Sequence, residues 1–443
     1  MAERQRLFHR DSAYHKIATS LRESMFDHNT ESLDVLIAVR VPAGRYAHVV
    51  SQANMLVEHG LAVAIVEVGR DGRAEPAALH PQVERLVAPG LTSPHSRTAW
   101  KRWRNAHEFS RLVQRTVVSR NPGVVVSSDI DGSLALAPFL NSRRPRTVFH
   151  FSELPDPRSR TSWIRRQRIL HLLRIVHKAD LIIQPEPYRL AIFQADTNLT
   201  SAIAMVPNCP RRTESVDSRS ARDELERTIG AGHRVVMHVG GISPGRGLLE
   251  TVRSMPLWPA DAVLVCRGLV YPEFVAMLSA EAHNLGMGDR MLIQDVSSFQ
   301  PDALAHIAVA DLGIAFHEID GFNQMYVAFA SQKLHQYMAA GVPVLAGHGP
   351  GFNELVSLTG CGICVDMHSP QEIGQAVNRM LGDDELRRRG GETGRRLHLN
   401  YFNYEQQFAQ VLDQILVWCG REPPQLAAKT PPACLQLESA DGL

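Results

Sequence analysis

The chain has 443 residues, of which 44% are hydrophobic and 21% charged, and its formal net charge is +1. Such a length exceeds one ordinary hydrophobic core and suggests two domains, and the balanced charge gives no reason to expect nucleic acid as a partner. The longest apolar runs, at 35–39 and 62–68, are strand-sized, well short of the ~20 residues a membrane span requires.

In chain order, residues 1–32 form a polar N-terminal extension, MAERQRLFHRDSAYHK at its start, with no apolar signal core. The expected location is therefore cytoplasmic. Residues 33–39 read as the first strand, followed by the Gly-bearing turn Pro42-Ala-Gly-Arg-Tyr46. The next helix carries Val49, Ala53, Leu56 and Val57 on one side and ends at His59-Gly60, where glycine accepts the left-handed C-cap. Further strands are expected at 61–68, 124–127, 147–151, 181–184 and 202–206, before Pro207-Asn-Cys-Pro210 breaks regular structure. The composition turns to Arg, Ser, Asp and Glu over 211–234, read as a linker and a polar helix. Strands then resume at 235–239, 262–266, 291–294, 312–315 and 342–346. Helices carry 386–398 and 404–418, and the Pro-rich polar tail 421–443 is expected to be disordered.

Alternating strands and helices imply an α/β protein with parallel sheets. The expected domains are 33–210 and 211–402, with the helix at 403–420 packing back towards the first. Two consecutive βαβ domains would place a ligand cleft between the carboxyl ends of both sheets. Six cysteines, at 209, 266, 361, 364, 419 and 434, are too dispersed for a disulfide framework. Cys361-Gly-Ile-Cys364 has metal-like spacing but no second pair, so it reads as two small residues flanking a turn into a buried strand.

Three segments carry chemistry. His238-Val-Gly-Gly-Ile-Ser-Pro-Gly-Arg-Gly247 lies between an expected strand and an expected helix at 248–254. Gly240, Gly241, Gly245 and Gly247 let the backbone approach an anion, the helix adds its positive end, and Arg246 adds a fork of donors. The turn is neither a Walker loop nor the spaced G-x-G-x-x-G of dinucleotide folds. The second segment is Ser331-Gln-Lys-Leu-His-Gln-Tyr-Met-Ala-Ala-Gly-Val-Pro-Val344, with Ser331 as N-cap. Lys333 falls in the first turn of that helix, against the dipole, where it either serves an anionic ligand or extends to solvent. The third is Val148-Phe-His-Phe-Ser-Glu-Leu154.

These segments resemble the family 4 retaining glycosyltransferases of the GT-B fold, whose members carry a Gly-rich turn with a basic residue and then a helix of the form Lys-Leu-x-Glu-Tyr-x-Ala-x-Gly-x-Pro-Val. The resemblance continues through Gly349-Pro-Gly-Phe-Asn-Glu354, Gly360-Cys-Gly-Ile-Cys-Val-Asp366 and Asn400-Tyr-Phe-Asn-Tyr404. Weaker matches are Pro42 to Arg45, Asp129-Ile-Asp131 and Val148 to Glu153, so the likeness covers about residues 33–418. It implies two facing Rossmann-like domains with an interdomain cleft, a nucleoside-diphosphate sugar bound mainly by the second, and an acceptor bound by the first. It further implies transfer with retention, no cofactor beyond the sugar nucleotide as co-substrate, and no metal. Gly240, Gly241, Arg246, Gly247 and Lys333 would face the diphosphate, and Arg267 the base or ribose. Glu318, Asp320, Gln336 and Glu354 would meet sugar or ribose hydroxyls. Gly44, Arg45 and Asp129 would bind the acceptor, and Glu153 and His150 would be the catalytic candidates.

The chain departs from this pattern. Many members have two glutamates eight positions apart where it has Ala328 and Gln336, and often a histidine where it has Ser152. Gln336 keeps hydrogen bonding but not the negative charge. His150, two residues earlier, either substitutes for the missing histidine or is a satisfied histidine at a strand end. The Arg-rich segment 143–174, interleaved with Trp163, Ile164, Ile169, Leu172 and Leu173, reads either as a solvated face with its apolar residues packed inward or as a patch for an anionic acceptor or the inner face of a membrane. The expected function is transfer of a sugar to a glycan, lipid-linked or small acceptor. A catalytically silent binding subunit and a nucleotide-sugar epimerase are the alternatives.

Overall fold

The computed structural model describes residues 32–69, 77–87, 99–159, 161–199, 201–296 and 302–424. The expected N-terminal extension and tail, Arg160 and Cys434 therefore fall almost wholly outside the described residues. The chain divides into two compact units: unit 1 comprises the residues up to Gln184, Ala191–Ala204 and 410–424, and unit 2 comprises Pro185–Leu190 and Met205–Ala409.

Unit 1 is built on seven strands: β1 (Val35–Val39), β2 (Val63–Glu67), β3 (Glu84–Val87), β4 (Val124–Ser128), β5 (Arg146–His150), β6 (Leu181–Gln184) and β7 (Ala202–Met205). Their order is β3-β2-β1-β4-β5-β6-β7, and the pairs from β3 to β6 are parallel. Strands β1, β2 and β4 are buried at every residue, as strands covered by helices on both faces must be. Strand β3 escaped the sequence reading because Glu84-Arg-Leu-Val87 is a half-exposed edge strand with no apolar run.

Unit 2 carries a second parallel sheet of six strands, in the order β10-β9-β8-β11-β12-β13. They are β8 (Arg234–Val239), β9 (Ala262–Gly268), β10 (Met291–Asp295), β11 (Leu312–Ala315), β12 (Val344–Gly347) and β13 (Gly362–Val365). Strand β12 starts two residues later than its apolar run begins, because Pro343 has no N–H to give the ladder. The polar helix after the linker is Arg219–Ile229. Within unit 2, Leu248, Val252, Leu264, Leu278, Ile314 and Phe316 join one continuous core. No helix among the described residues is long and apolar enough to cross a membrane.

Candidate functional site

In each sheet the strand order reverses direction once, between β1 and β4 in unit 1 and between β8 and β11 in unit 2. Loops leaving the two strands at such a point diverge, and the crevice outside their carboxyl ends is where open α/β sheets bind ligands. The Gly-rich turn follows β8, and Phe316, His317 and Glu318 follow β11.

The turn is anchored from below. Tyr337, buried in helix Gln332–Ala340, donates its hydroxyl to the Met237 carbonyl at 2.8 Å and accepts from the Val239 N–H at 3.1 Å. The Gly240 N–H donates to the Arg267 carbonyl at 3.0 Å, and a Cβ on Gly268 would stand 1.7 Å from the Gly240 oxygen. Gly247 opens helix Leu248–Ser254 at φ 61°, with Phe316 so close that a Cβ there would come within 2.9 Å of its ring. The Glu318 N–H donates to the Gly245 carbonyl at 3.0 Å and joins the turn to the loop after β11. Backbone contacts thus fix the turn before any ligand arrives.

Basic side chains converge on this frame. Arg246 Nη1 lies 3.0 Å from His317 Nδ1, and His317 Nε2 lies 3.3 Å from Ser331 Oγ. A guanidinium can only donate, so Nδ1 accepts and the imidazole is the neutral Nε2–H tautomer, donating to Ser331. Lys333 Nζ donates to the Phe316 carbonyl at 3.2 Å. Burial, together with Arg246 beside it, pushes the Lys333 ammonium well below the usual lysine range. Burial likewise drives His238 and His317 down, with Lys333 and Arg246 adding to the effect. Neither Arg246 nor Lys333 has a carboxylate partner among the described residues. Ser331 occupies the N-cap position, yet its hydroxyl is taken by His317 and does not cap the helix. Two uncompensated cations beside an uncapped helix start suit a multiply charged anion.

The remaining expected donor residues divide. Gly240 is exposed at the turn, and the Gly241 carbonyl lies 3.3 Å from His238 Nε2. Asp320 is exposed further along the loop that holds Glu318. Gln336 is half-buried, three residues after Lys333 on the same helix. Arg267, expected near the base or ribose, sits within β9 rather than after it, and its Nη1 reaches Gln294 of β10 at 2.9 Å. Glu354, on the helical turn Asn353–Leu358, accepts from the Tyr188 hydroxyl at 3.2 Å. Its Oε2 is buried with no partner among the described residues. Close by, burial pushes Glu186 up to about 7. Ala328 is fully buried, and a Cβ on Gly351 would come within 2.8 Å of its methyl, so position 328 is part of the packing. His317 and His238 were missed by the sequence reading; the available signal was their place at the ends of the two strands that flank the reversal.

In unit 1 the turn Ala43–Arg45 follows β1, and buried Glu67 holds it by accepting from the Ala43 N–H at 2.6 Å. Gly44 is half-buried there and Arg45 exposed. Asp129, which follows β4, caps helix Ile130–Ala135 through the Gly132 N–H at 2.8 Å. Its backbone sits at φ 94°, ψ 173°, a region that is nearly glycine-only and is tolerated chiefly at functional sites. Burial and the neighbouring Asp131 push its carboxyl up. Asp131 pairs with Arg40 and Arg168. Glu153 is exposed, and Tyr46 lies within electrostatic reach of both Glu153 and Asp129. His150 is only 2% exposed, with Nδ1 2.7 Å from Gln52 Nε2 and its ring 4.3 Å from that of His48. These surroundings favour the strand-end histidine over the catalytic one. In the Arg-rich segment, Ile169 and Leu172 pack inward, but Trp163 is 73% exposed and Ile164 also faces solvent.

Residues 226–397 match the family model of glycosyl transferases group 1. The matched stretch lies within unit 2. A stretch of 226 residues is 25% identical to D-inositol 3-phosphate glycosyltransferase of Corynebacterium glutamicum (strain R), covering 49% of this chain and 52% of that protein. The chain thus spans about half the length of that curated relative. Among solved structures, sucrose-phosphate synthase from Thermosynechococcus elongatus superposes with a TM-score of 0.68 at 18% identity, over 87% of this chain and 99% of that one. Anabaena HepE in complex with UDP and glucose gives 0.66 at 14% identity, over 86% and 99%. The fold is GT-B. The Gly-rich turn, Arg246, His317 and Lys333 all lie inside the stretch that matches this family model.

Proposed function

We propose that the chain is a glycosyltransferase that takes a sugar from a nucleoside-diphosphate sugar, with retention of configuration, and passes it to a glycan, lipid-linked or small acceptor. The observation that carries this reading is the pair Arg246 and Lys333, two cations without a carboxylate partner among the described residues, beside a rigid Gly-rich turn at the strand-order reversal of unit 2. The leaving diphosphate gains charge as the glycosidic bond breaks. Cations and N–H dipoles already in place favour that state over the ground state and lower the barrier. HepE, a fold relative, is named for its complex with UDP and glucose, which supports a nucleotide of this class here.

The test is incubation with a panel of nucleotide sugars and mass spectrometry of the released nucleoside diphosphate. Release from one donor supports the reading and identifies that donor. Tight binding without release supports the second reading, a catalytically silent binding subunit, which Ala328 and Gln336 in place of two glutamates favour. Absence of both binding and release overturns each.

On the acceptor side, exposed Glu153, within electrostatic reach of Tyr46, is the group available to a sugar hydroxyl. Glu153→Gln is expected to lower transfer about 100-fold with donor affinity within twofold, read by steady-state kinetics and calorimetry. An equal loss of both would make Glu153 structural. The exposed Trp163-Ile164 pair, followed by Arg165 and Arg166, has the composition that anchors proteins to anionic lipid surfaces. Trp163→Ser should cut co-sedimentation with phosphatidylglycerol vesicles several-fold; equal partition of both proteins would make this a solvated face.

A further inference from the structure

His317 was absent from every expectation drawn from the sequence, yet it lies at the centre of the cationic cluster. It touches Arg246 through Nδ1 at 3.0 Å and Ser331 through Nε2 at 3.3 Å, and its ring stacks on Phe352 with centroids 5.9 Å apart. We propose that His317 is a positioning residue of the anion site: its neutral ring holds Arg246 through Nδ1, and it takes up a proton when a nucleoside diphosphate draws the guanidinium onto its phosphates.

The charged and titratable groups that act on it come from every side. Arg246 belongs to the Gly-rich turn, Lys333 to helix Gln332–Ala340, His238 to β8 and Arg189 to the segment Pro185–Leu190. All four are basic side chains, so an imidazolium here would meet like charge, and burial opposes it further. Glu318, next in sequence, is exposed. A diphosphate reverses the sign of the local field. When Arg246 Nη1 turns to a phosphate oxygen, Nδ1 loses its donor and its lone pair is free to bind a proton from solvent. The protonated ring then adds a third donor towards the anion and keeps Nε2–H on Ser331. No electrons move; one proton passes from buffer to imidazole.

The inference rests on the donor-site reading above, and the experiment separates the two. The full chain is titrated with UDP, and in parallel with ADP and GDP, by calorimetry at pH 7 in Pipes and in Tris, whose ionisation enthalpies differ. His317→Gln is the comparison, because its amide can still accept from Arg246 and donate to Ser331. Wild type is expected to take up close to one proton more per nucleotide than the variant. Its affinity should fall roughly tenfold per pH unit through the range where free His317 is neutral and bound His317 is protonated, with a flatter profile in the variant. Equal proton uptake by both proteins overturns the inference and leaves the donor site standing, whereas failure of every nucleotide to bind either protein overturns both. Should the variant fail to fold, 15N-imidazole spectra of wild type decide: one ring passing from neutral to imidazolium on adding UDP supports the assignment, and every ring unchanged overturns it.

Discussion

Arg246→Ala is expected to weaken nucleoside-diphosphate binding by about 10- to 100-fold, which corresponds to the ~1.5–3 kcal/mol of a hydrogen bond to a charged group. The melting temperature should stay level or rise. Those opposite directions follow from what Arg246 touches. Its contacts are the neutral His317 ring and the electrostatic neighbourhood of Lys333, with no carboxylate to lose among the described residues. Removing it relieves the repulsion that adds to burial in holding the Lys333 ammonium below its ordinary range, so the apo protein loses little packing and sheds an unfavourable charge pair. Calorimetric titration with nucleoside diphosphates and a thermal melt on the same sample read both halves. Unchanged affinity would remove the Gly-rich turn from the site. A large fall in melting temperature would mean that the arginine is a structural strut.

The division between what the residues announced and what they concealed follows the range of the interactions. Strands β1, β2, β4, β8, β9 and β11 are dense apolar runs buried on both faces, and local composition reveals such runs without any knowledge of neighbours. The helix that opens at Leu248 and the one that closes at Gly341, φ 72°, were legible because glycine marks their ends. Strand β3 was not, since a half-exposed edge strand gains its identity from pairing with β2. The candidate site shows the same split. Gly240, Gly247, Arg246 and Lys333 stand in local motifs, but the contact of Arg246 with His317 spans 71 residues and depends on β8 lying beside β11. Arg267 shows the converse: its motif position is local, but its partner Gln294 on the adjacent strand β10 could not be read from the chain. His150, open to either reading in sequence, is enclosed by His48 and Gln52, both from the helix Ala47–Glu58.

Gly268→Ala is expected to cost about 3 kcal/mol, near the upper end for overpacking, and to abolish nucleotide binding in the same protein. Gly268 is the last residue of β9, and the added methyl would stand 1.7 Å from the Gly240 carbonyl oxygen and 2.5 Å from its carbon. Both are backbone atoms, so no side chain can turn aside. Relief requires Gly240 to move away from β9, which breaks its N–H bond to the Arg267 carbonyl and shifts the turn that presents Arg246. For a domain of this size the loss should lower the melting temperature by about 10 °C. Gly382→Ala is the matched control: nothing lies within 4 Å of its would-be Cβ, and it ends helix Pro370–Gly382, where alanine costs nothing. If Gly268→Ala melts with the control and still binds nucleotide, the close approach of β9 to the turn is not what holds the anion site in shape. If stability falls and binding goes with it while the control retains both, one backbone contact carries fold and site together.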